Sequence, residues 1–588
     1  MERSRRCGPR RRGGARDTRG AHLGRCRRRR RVVATRSRAG NDHRRPRRDR
    51  RAGGHRVSRY RRAGHGASFR GTGGGVVTVD PITLEVARNQ LAAIADEMGL
   101  VLRRTSYSPN IKERADCSAA VFVPSGEMLA QAEHIPVHLG SMPASVAAVL
   151  ERLGAEPGVQ YAVNDPYHGG THLNDLTLVR PVFVSGTLIG WVANRAHHAD
   201  VGGEAPGSMP ADATTIDQEG HVVVPTPAVR NGVWIDEFLD PFLAATRTRS
   251  ERLGDLSAQL GANEVGAARV GALVEAEGLD RFVAVTGALL AYGERRMRAA
   301  LGALPDGEYR FTDVMEWGDE DLPISVAVRI EGEGLVADFS GTTGQVAGNI
   351  NAVEAVTRSC LYYAVRVATD PSIPANGGCY RPLELMVPPR TLVNAEPPAA
   401  VAAGNVETSQ RIADVLLGAL AQAAPDRVPA ASQGTMNNIL AGNDDFAYYE
   451  TVGGGQGGRP GRRGMSGVHT GMTNTKNTPI EALEVAYPLR VITTRLRRAS
   501  GGAGRFPGGE GIEREIEFLA DATVSLMGER RRVPPWGLAG GEPGAVGEDW
   551  LIRPGSAPER LPGKVTFEVR AGDRLRVLTP GGGGWGKA

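Results

Sequence analysis

Residues 164–200 read NDPYHGGTHLNDLTLVRPVFVSGTLIGWVANRAHHAD, and four of the chain's twelve histidines (His168, His172, His197 and His198) fall in this one window. Two more, His134 and His138, lie just upstream. Two imidazoles and the carboxylate of Asp175 form a donor set that suits a divalent ion such as Mn or Zn and leaves positions for water or substrate. The bland alternative is a group of histidines hydrogen-bonded in a buried loop.

A β-hairpin is the element that would bring them together. Apolar runs at 176–184 and 187–193 flank a Ser185-Gly186 turn, the pattern of a two-residue hairpin. Such a turn pairs residues whose numbers sum to about 371, so Asn174 is expected opposite His197 and Asp175 opposite Ala196. His172, Asp175, His197 and His198 then meet at the open end. A slip of one residue reverses which of the two consecutive histidines points inward.

A second hairpin is expected from 119–123 and 128–131 around a Pro-Ser-Gly turn, with Glu113, Asp116, His134 and His138 gathered near it. Loops that carry charged groups into a domain often line sites, so Glu113 and His138 become candidates for substrate contact or for support of the metal ligands. Ordinary surface polarity explains them equally well.

The flanking elements are readable too. Asp80-Pro81 is an N-cap followed by proline at the first helical position, and Leu84, Ala87, Leu91, Ile94, Met98 and Val101 recur at spacings of three and four. A short helix at 144–153 leads into the histidine hairpin. The turn-rich stretch 202–220 is long for a connector and reads as a loop packed over the site. Helices at 249–277 and 279–301 form a helical hairpin, and beyond Pro305 alternating segments read as antiparallel strands. Residues 404–409 resemble a capped helix entry. The fold class is therefore mixed α/β (α+β), with a hairpin-rich metal-binding domain at 79–305 and a mixed-sheet region with Gly-rich loops at 306–588.

The net charge of +7 conceals a division. Residues 1–70 hold 27 arginines and four acids, a surplus of 23, so the remaining residues carry a net −16. The arginine stretch lacks hydrophobic periodicity. It is expected to be disordered, or to precede a true start near residues 76–79, so residues 1–78 stand outside the folded body. A nucleic-acid-binding arm is the functional alternative, and the acidic body without a binding motif ranks it last. Cys117, Cys360 and Cys379 show no metal or redox spacing, which fits a reducing, cytoplasmic compartment. No apolar run approaches the roughly 20 residues needed to span a bilayer, so no membrane association is expected.

Several chemistries are missing. The chain contains no GxxxxGK[ST] phosphate loop, and the glycine runs 453–458 and 581–584 read as flexible backbone near a binding surface. Neither a Gly-x-Ser-x-Gly elbow nor a cysteine in a catalytic setting is present. Metal-activated water is the stronger hydrolytic reading.

The blocks NIKERADCSAAVF, HIPVHLGSMP, NDPYHGGTHLNDLTLVRPVF, NRAHHADVGG, GNVETSQRIAD, TNTKNTPIEALE, SGGAGRFPGG, GERRRVPPWGLAGGEPG and TPGGGGWG together resemble the hydantoinase B / 5-oxoprolinase family, from about residue 79 to 586. The resemblance implies the metal subunit of an ATP-dependent enzyme whose ATP is used by a partner, a hydantoinase A-type subunit. It also implies Mn, Zn or Fe on His172, Asp175 and His197, the set that the hairpin assembles. The implied reaction is opening of a cyclic amide (5-oxoproline or a hydantoin). That amide would be phosphorylated in the partner and attacked by metal-activated water, with His198 or His138 as general base. The alternative is the metal subunit of an acetone- or acetophenone-type ketone carboxylase. In one block the chain departs from the family: His469-Thr470-Gly471-Met472 stands where the resemblance implies a second histidine, HTHMTNT.

Overall fold

The computed structural model describes residues 67–70, 76–132 and 135–588. Most of the arginine-rich stretch, and His134, lie outside the described residues. Helix α1 (Pro81–Thr105) starts as its sequence predicts. The Asp80 carboxylate accepts from the Ile82 and Thr83 amides at 2.9 and 3.1 Å. Pro81 fills a first-turn position where its missing N–H costs nothing. Leu91, Ile94, Met98 and Leu102 form the buried stripe.

The site is built on a seven-stranded antiparallel sheet. Its strands are β1 (Cys117–Phe122), β2 (Met128–Ala132), β3 (Val159–Val163), β4 (Asp175–Val184), β5 (Thr187–His197), β6 (Thr226–Arg230) and β7 (Val233–Trp234), in the order β2-β1-β5-β4-β3-β6-β7. Side chains alternate between its faces. Ala119, Val121, Val182 and Val192 pack with α1, and Ala120, Phe122, Trp191 and Ala193 pack with Val146 and Val149 of helix α2 (His138–Leu153). The first core is completed by the helical hairpin α3 (Arg249–Glu277) and α4 (Leu279–Leu301), whose limits agree with the sequence reading. Helix α2 begins earlier than expected, at His138 rather than near residue 144, because Pro143 is accommodated within it.

The register of the central hairpin differs from expectation. Ser185 and Gly186 turn at φ 49° and 80°, both positive as a type I′ turn requires, and Val184 faces Thr187 as predicted. A β-bulge follows: Phe183 faces Leu188 and Val182 faces Gly190, leaving Ile189 as an extra residue in β5. Every pair beyond it moves by one, so Asp175 faces His197 and Leu176 faces Ala196. The expected Asn174–His197 and Asp175–Ala196 pairs are corrected accordingly.

Beyond residue 305 come β8 (Gly307–Trp317), β9 (Glu320–Glu331), β10 (Gly334–Asp338), helix α5 (Glu354–Ala368), β11 (Leu383–Met386) and helix α6 (Ser409–Ala423). The four strands form one sheet in order, with only the β10–β11 pair parallel. The largest apolar core takes residues from both sides of position 305, including Phe122, Val146, Val328, Leu361 and Leu416. Helix α6 is entered through a π-helical turn, Gly404–Thr408. Strands β12 (Asn438–Gly442) and β13 (Ala447–Thr451) open a four-stranded sheet, and a five-stranded sheet follows. Helices and sheets combine in an α+β fold.

The glycine runs are not loose loops. Most of 453–458 and all of 581–584 are buried. Gly582 donates to Gly509 (3.0 Å), Gly509 to Gln456 (2.8 Å) and Gly458 to Gly583 (2.9 Å). A Cβ on Gly582 would lie 2.2 Å from the Gln456 carbonyl oxygen, so close backbone packing, rather than flexibility, requires glycine there.

Candidate metal centre

Asp175 is the first residue of β4 and His197 the last of β5, so the shifted register sets them side by side; His172 comes from the turn just before β4. One ligand atom from each of the three lies within 4.8 Å of the others. Asp175 Oδ1 is 3.2 Å from His172 Nε2 and 3.2 Å from His197 Nδ1. All three residues are buried.

The other oxygen is held from outside the cluster. Asp175 Oδ2 accepts from Thr171 Oγ1 at 2.7 Å, and from Asn405 Nδ2 and His138 Nε2 at 3.4 Å each. Burial pulls the Asp175 carboxyl upward, but the neighbouring histidines, His172 first and then His138 and His197, outweigh it and leave it well below the usual range. A carboxylate only accepts, so His138 carries its proton on Nε2. Its Nδ1 then accepts from Ser118 Oγ, 2.8 Å away.

The donors fit a divalent ion. Neither ring nitrogen of His172 makes a hydrogen bond to a described residue, and neither does His197 Nε2, although buried polar atoms ordinarily find partners. Burial first, opposed by a hydrogen bond to Asp175, pushes His197 down to about 3, so its imidazole is neutral with a lone pair to offer. Two imidazoles and one carboxylate are a transition-metal donor set.

Asp116 stands next to them, its Oδ2 4.0 Å from His197 Nδ1. Burial raises its carboxyl to about 7 against the pull of Arg114. The fully buried Arg114 donates to Asn110 Oδ1, the Tyr449 carbonyl and Thr451 Oγ1. It lies 4.8 Å over the Tyr449 ring, and that ring stacks on His197 at 4.5 Å. Strand β13 thus buttresses a ligand some 250 residues away in the chain.

Of the other candidates, His138 is brought onto the cluster, while His198 and Glu113 are not. His198 Nε2 meets Gln259 Oε1 of α3 at 2.9 Å, and its ring packs edge-on against Phe242. Glu113 ends a short helical turn and is partly exposed, with no hydrogen bond or ion pair from its carboxylate to the cluster. Arg114, Tyr449, Asn405 and Thr171 escaped the sequence reading. The motif blocks NIKERAD, NDPYHGGTHLND and GNVETS held three of them, Arg114, Thr171 and Asn405, without marking their roles.

Residues 80–588 match the family described as hydantoinase B/oxoprolinase. The chain belongs to this family. Among its hydantoinase B/oxoprolinase relatives, 5-oxoprolinase 1 of Arabidopsis thaliana is 39% identical over 86% of this chain, which spans 42% of that protein. A putative D-/L-hydantoinase subunit of a Pseudomonas species is 33% identical over 86% of this chain and 90% of its own length. The chain therefore spans about two fifths of the 5-oxoprolinases it matches and nearly all of that separate hydantoinase polypeptide. The ATP-dependent caprolactamase of Pseudomonas jessenii superposes with a TM-score of 0.81 at 30% identity, covering 87% of this chain and 92% of that one. Acetone carboxylase shares the fold with a TM-score of 0.80 at 19% identity, over 86% of this chain and 76% of its own. Among the described residues no helix is long and apolar enough to cross a membrane.

Proposed function

We propose that this hydantoinase B/oxoprolinase member is the metal-bearing subunit of an ATP-dependent cyclic-amide hydrolase, working with an A-type subunit that holds ATP. The observation that carries this is the buried His172–Asp175–His197 cluster in a chain without a phosphate loop. An unstrained lactam is a poor electrophile because resonance stabilises the amide. Phosphorylation of its oxygen by the partner removes that resonance and creates a leaving group.

His172, Asp175 and His197 would hold a divalent ion (Mn, Zn or Fe), which would supply Lewis acidity and lower the pKa of water toward about 7. Thr171, Asn405 and His138 fix Asp175 so that Oδ1 stays turned to the imidazoles. Ser118 keeps the His138 proton on Nε2, so His138 acts as a positioning residue with neither nitrogen spare. His198 docks α3 through Gln259. Asp116, with Oδ2 4.0 Å from His197 Nδ1, is a carboxylate placed beside the cluster to exchange a proton there. The use of ATP and the absence of redox-spaced cysteines support a cytoplasmic location.

The test is ring opening by this chain co-purified with its A-type partner, with ATP and Mn or Zn. ATP-dependent release of the open acid from 5-oxoproline, hydantoin or a simple lactam is the expected result. ATP consumption that requires bicarbonate and a ketone would favour the carboxylase reading, whose support is the shared fold alone. Finding neither activity in a metal-loaded complex would sink the proposal.

A further inference from the structure

Arg195 stands two residues before His197 on β5, so the two side chains project from the same face of the sheet. It faces Thr177 of β4, two residues after Asp175. The side chain is fully buried, and burial pulls its guanidinium down to about 10, still protonated at neutral pH. Among the described residues no carboxylate lies within ion-pair distance of it, and every group that accepts from it is a neutral oxygen. A buried guanidinium without a carboxylate partner is costly.

What offsets that cost is the set of elements it joins. Nε donates to Thr177 Oγ1 at 2.8 Å, across the hairpin. Nη1 donates to Ser141 Oγ at 2.5 Å and Nη2 to Ser145 Oγ at 2.7 Å, both on α2, whose first residue is His138. Nη2 also reaches the Ser141 and Gly169 carbonyls at 3.3 and 3.4 Å. Ser145 Oγ passes the contact on by donating to the Gly169 carbonyl at 2.6 Å. Gly169 lies three residues before His172, and its turn is pressed against α2: a Cβ on it would lie 2.5 Å from the Ala144 carbonyl oxygen. One side chain thus links the strand of His197, the strand of Asp175, the helix of His138 and the turn of His172. Arginine suits this task because its donors fan out from one rigid plane, whereas lysine offers a single point charge on a flexible stem.

We propose that Arg195 is a positioning residue of the metal centre, clamping α2 and the His172 turn onto the hairpin so that His172 Nε2 and His197 Nδ1 each stay 3.2 Å from Asp175 Oδ1. It acts through its fork of hydrogen bonds and not through its charge, because a fixed cation beside the cluster repels a divalent ion. The inference rests on the metal reading of the cluster given above.

The experiment uses the full chain as wild type, Arg195→Lys, Arg195→Met and Ser145→Ala. Zinc dissociation constants are measured by competition with a chelating dye, and the visible absorption of the cobalt-loaded protein reports the ligand geometry. Arg195→Lys and Arg195→Met should each weaken zinc binding about 10- to 100-fold and alter the cobalt bands. Ser145→Ala keeps the guanidinium and removes the hydroxyl that joins it to Gly169, so it should weaken zinc binding about three- to tenfold. It carries the test if the Arg195 variants misfold. Variants that melt earlier yet keep the wild-type zinc affinity and cobalt bands assign Arg195 to stability alone and overturn the proposal. An Arg195→Met protein that binds zinc more tightly than wild type overturns it as well, since charge would then decide. Wild-type protein that takes up neither ion overturns the metal reading itself and this inference with it.

Discussion

Asp175 faces His197 across the central hairpin because Ile189 is left unpaired in β5. Without that bulge Asn174 would take the place of Asp175, and the carboxylate would leave the face that carries the imidazoles. Two ligands at paired positions on adjacent strands are held by ladder hydrogen bonds as well as by their own packing. The cluster is thereby set before any ion arrives.

Metal content gives the first prediction. His172→Ala, Asp175→Ala and His197→Ala should each reduce near-stoichiometric Mn, Zn or Fe by about tenfold or more, measured by plasma mass spectrometry after reconstitution. Retained metal in all three variants would dismiss the cluster as its site.

Positioning of Asp175 gives the second. Ser118→Ala removes the hydroxyl that fixes the His138 proton, and His138→Phe removes a hydrogen bond to Asp175. Each should lower metal affinity or ATP-dependent turnover about 10- to 100-fold. Substitution of the partly exposed Glu113 by Gln should leave both within about twofold, since surface changes away from a site are usually small. Equal losses in all three would argue against the assignment.

The glycine layers give the third. Gly582→Ala places a Cβ 2.2 Å from the Gln456 carbonyl oxygen, a backbone atom that cannot step aside. A loss of about 1–3 kcal/mol, or failure to fold, is expected. Gly261→Ala in α3, where a new Cβ meets nothing within 4 Å, should instead stabilise by about 0.5–1 kcal/mol. Denaturant midpoints compare the pair directly.

Glu219 gives a pH prediction. It is fully buried and accepts from the Val401 and Ala402 amides at 2.9 and 2.8 Å through Oε1. Burial, only partly offset by those amides, raises its carboxyl from 4.5 to about 8. Between these values the folded protein keeps a proton that the unfolded chain has released, so stability falls as pH rises through the window. Glu219→Gln preserves an acceptor and removes the titration. The wild-type Tm should therefore drop relative to the variant from pH 5 to 8, and parallel Tm curves would refute the assignment.

Much of this protein was legible in its sequence because the signals are local. The Asp80-Pro81 helix start, the α3–α4 hairpin and the Ser185-Gly186 turn each depend on residues a few positions apart, and periodicity and turn chemistry report such features directly. The density of histidines around that turn was enough to bring His172, Asp175, His197 and His198 together, and the family resemblance chose His197 over His198.

What the tertiary structure decided depends on distance in the chain. The bulge at Ile189 is not marked by residue type, yet it sets which residue faces His197. Tyr449 stacks on His197 from a segment whose sequence shows no chemistry of its own, and Asn405 reaches Asp175 from one that read only as a helix entry and a motif block. His198 looked as good a ligand as His197 until packing turned it to Gln259. The glycine runs likewise read as loose until other backbones closed on them. Sequence patterns report the conformation of a segment; which side chains from distant segments share a buried site is set by how those segments pack.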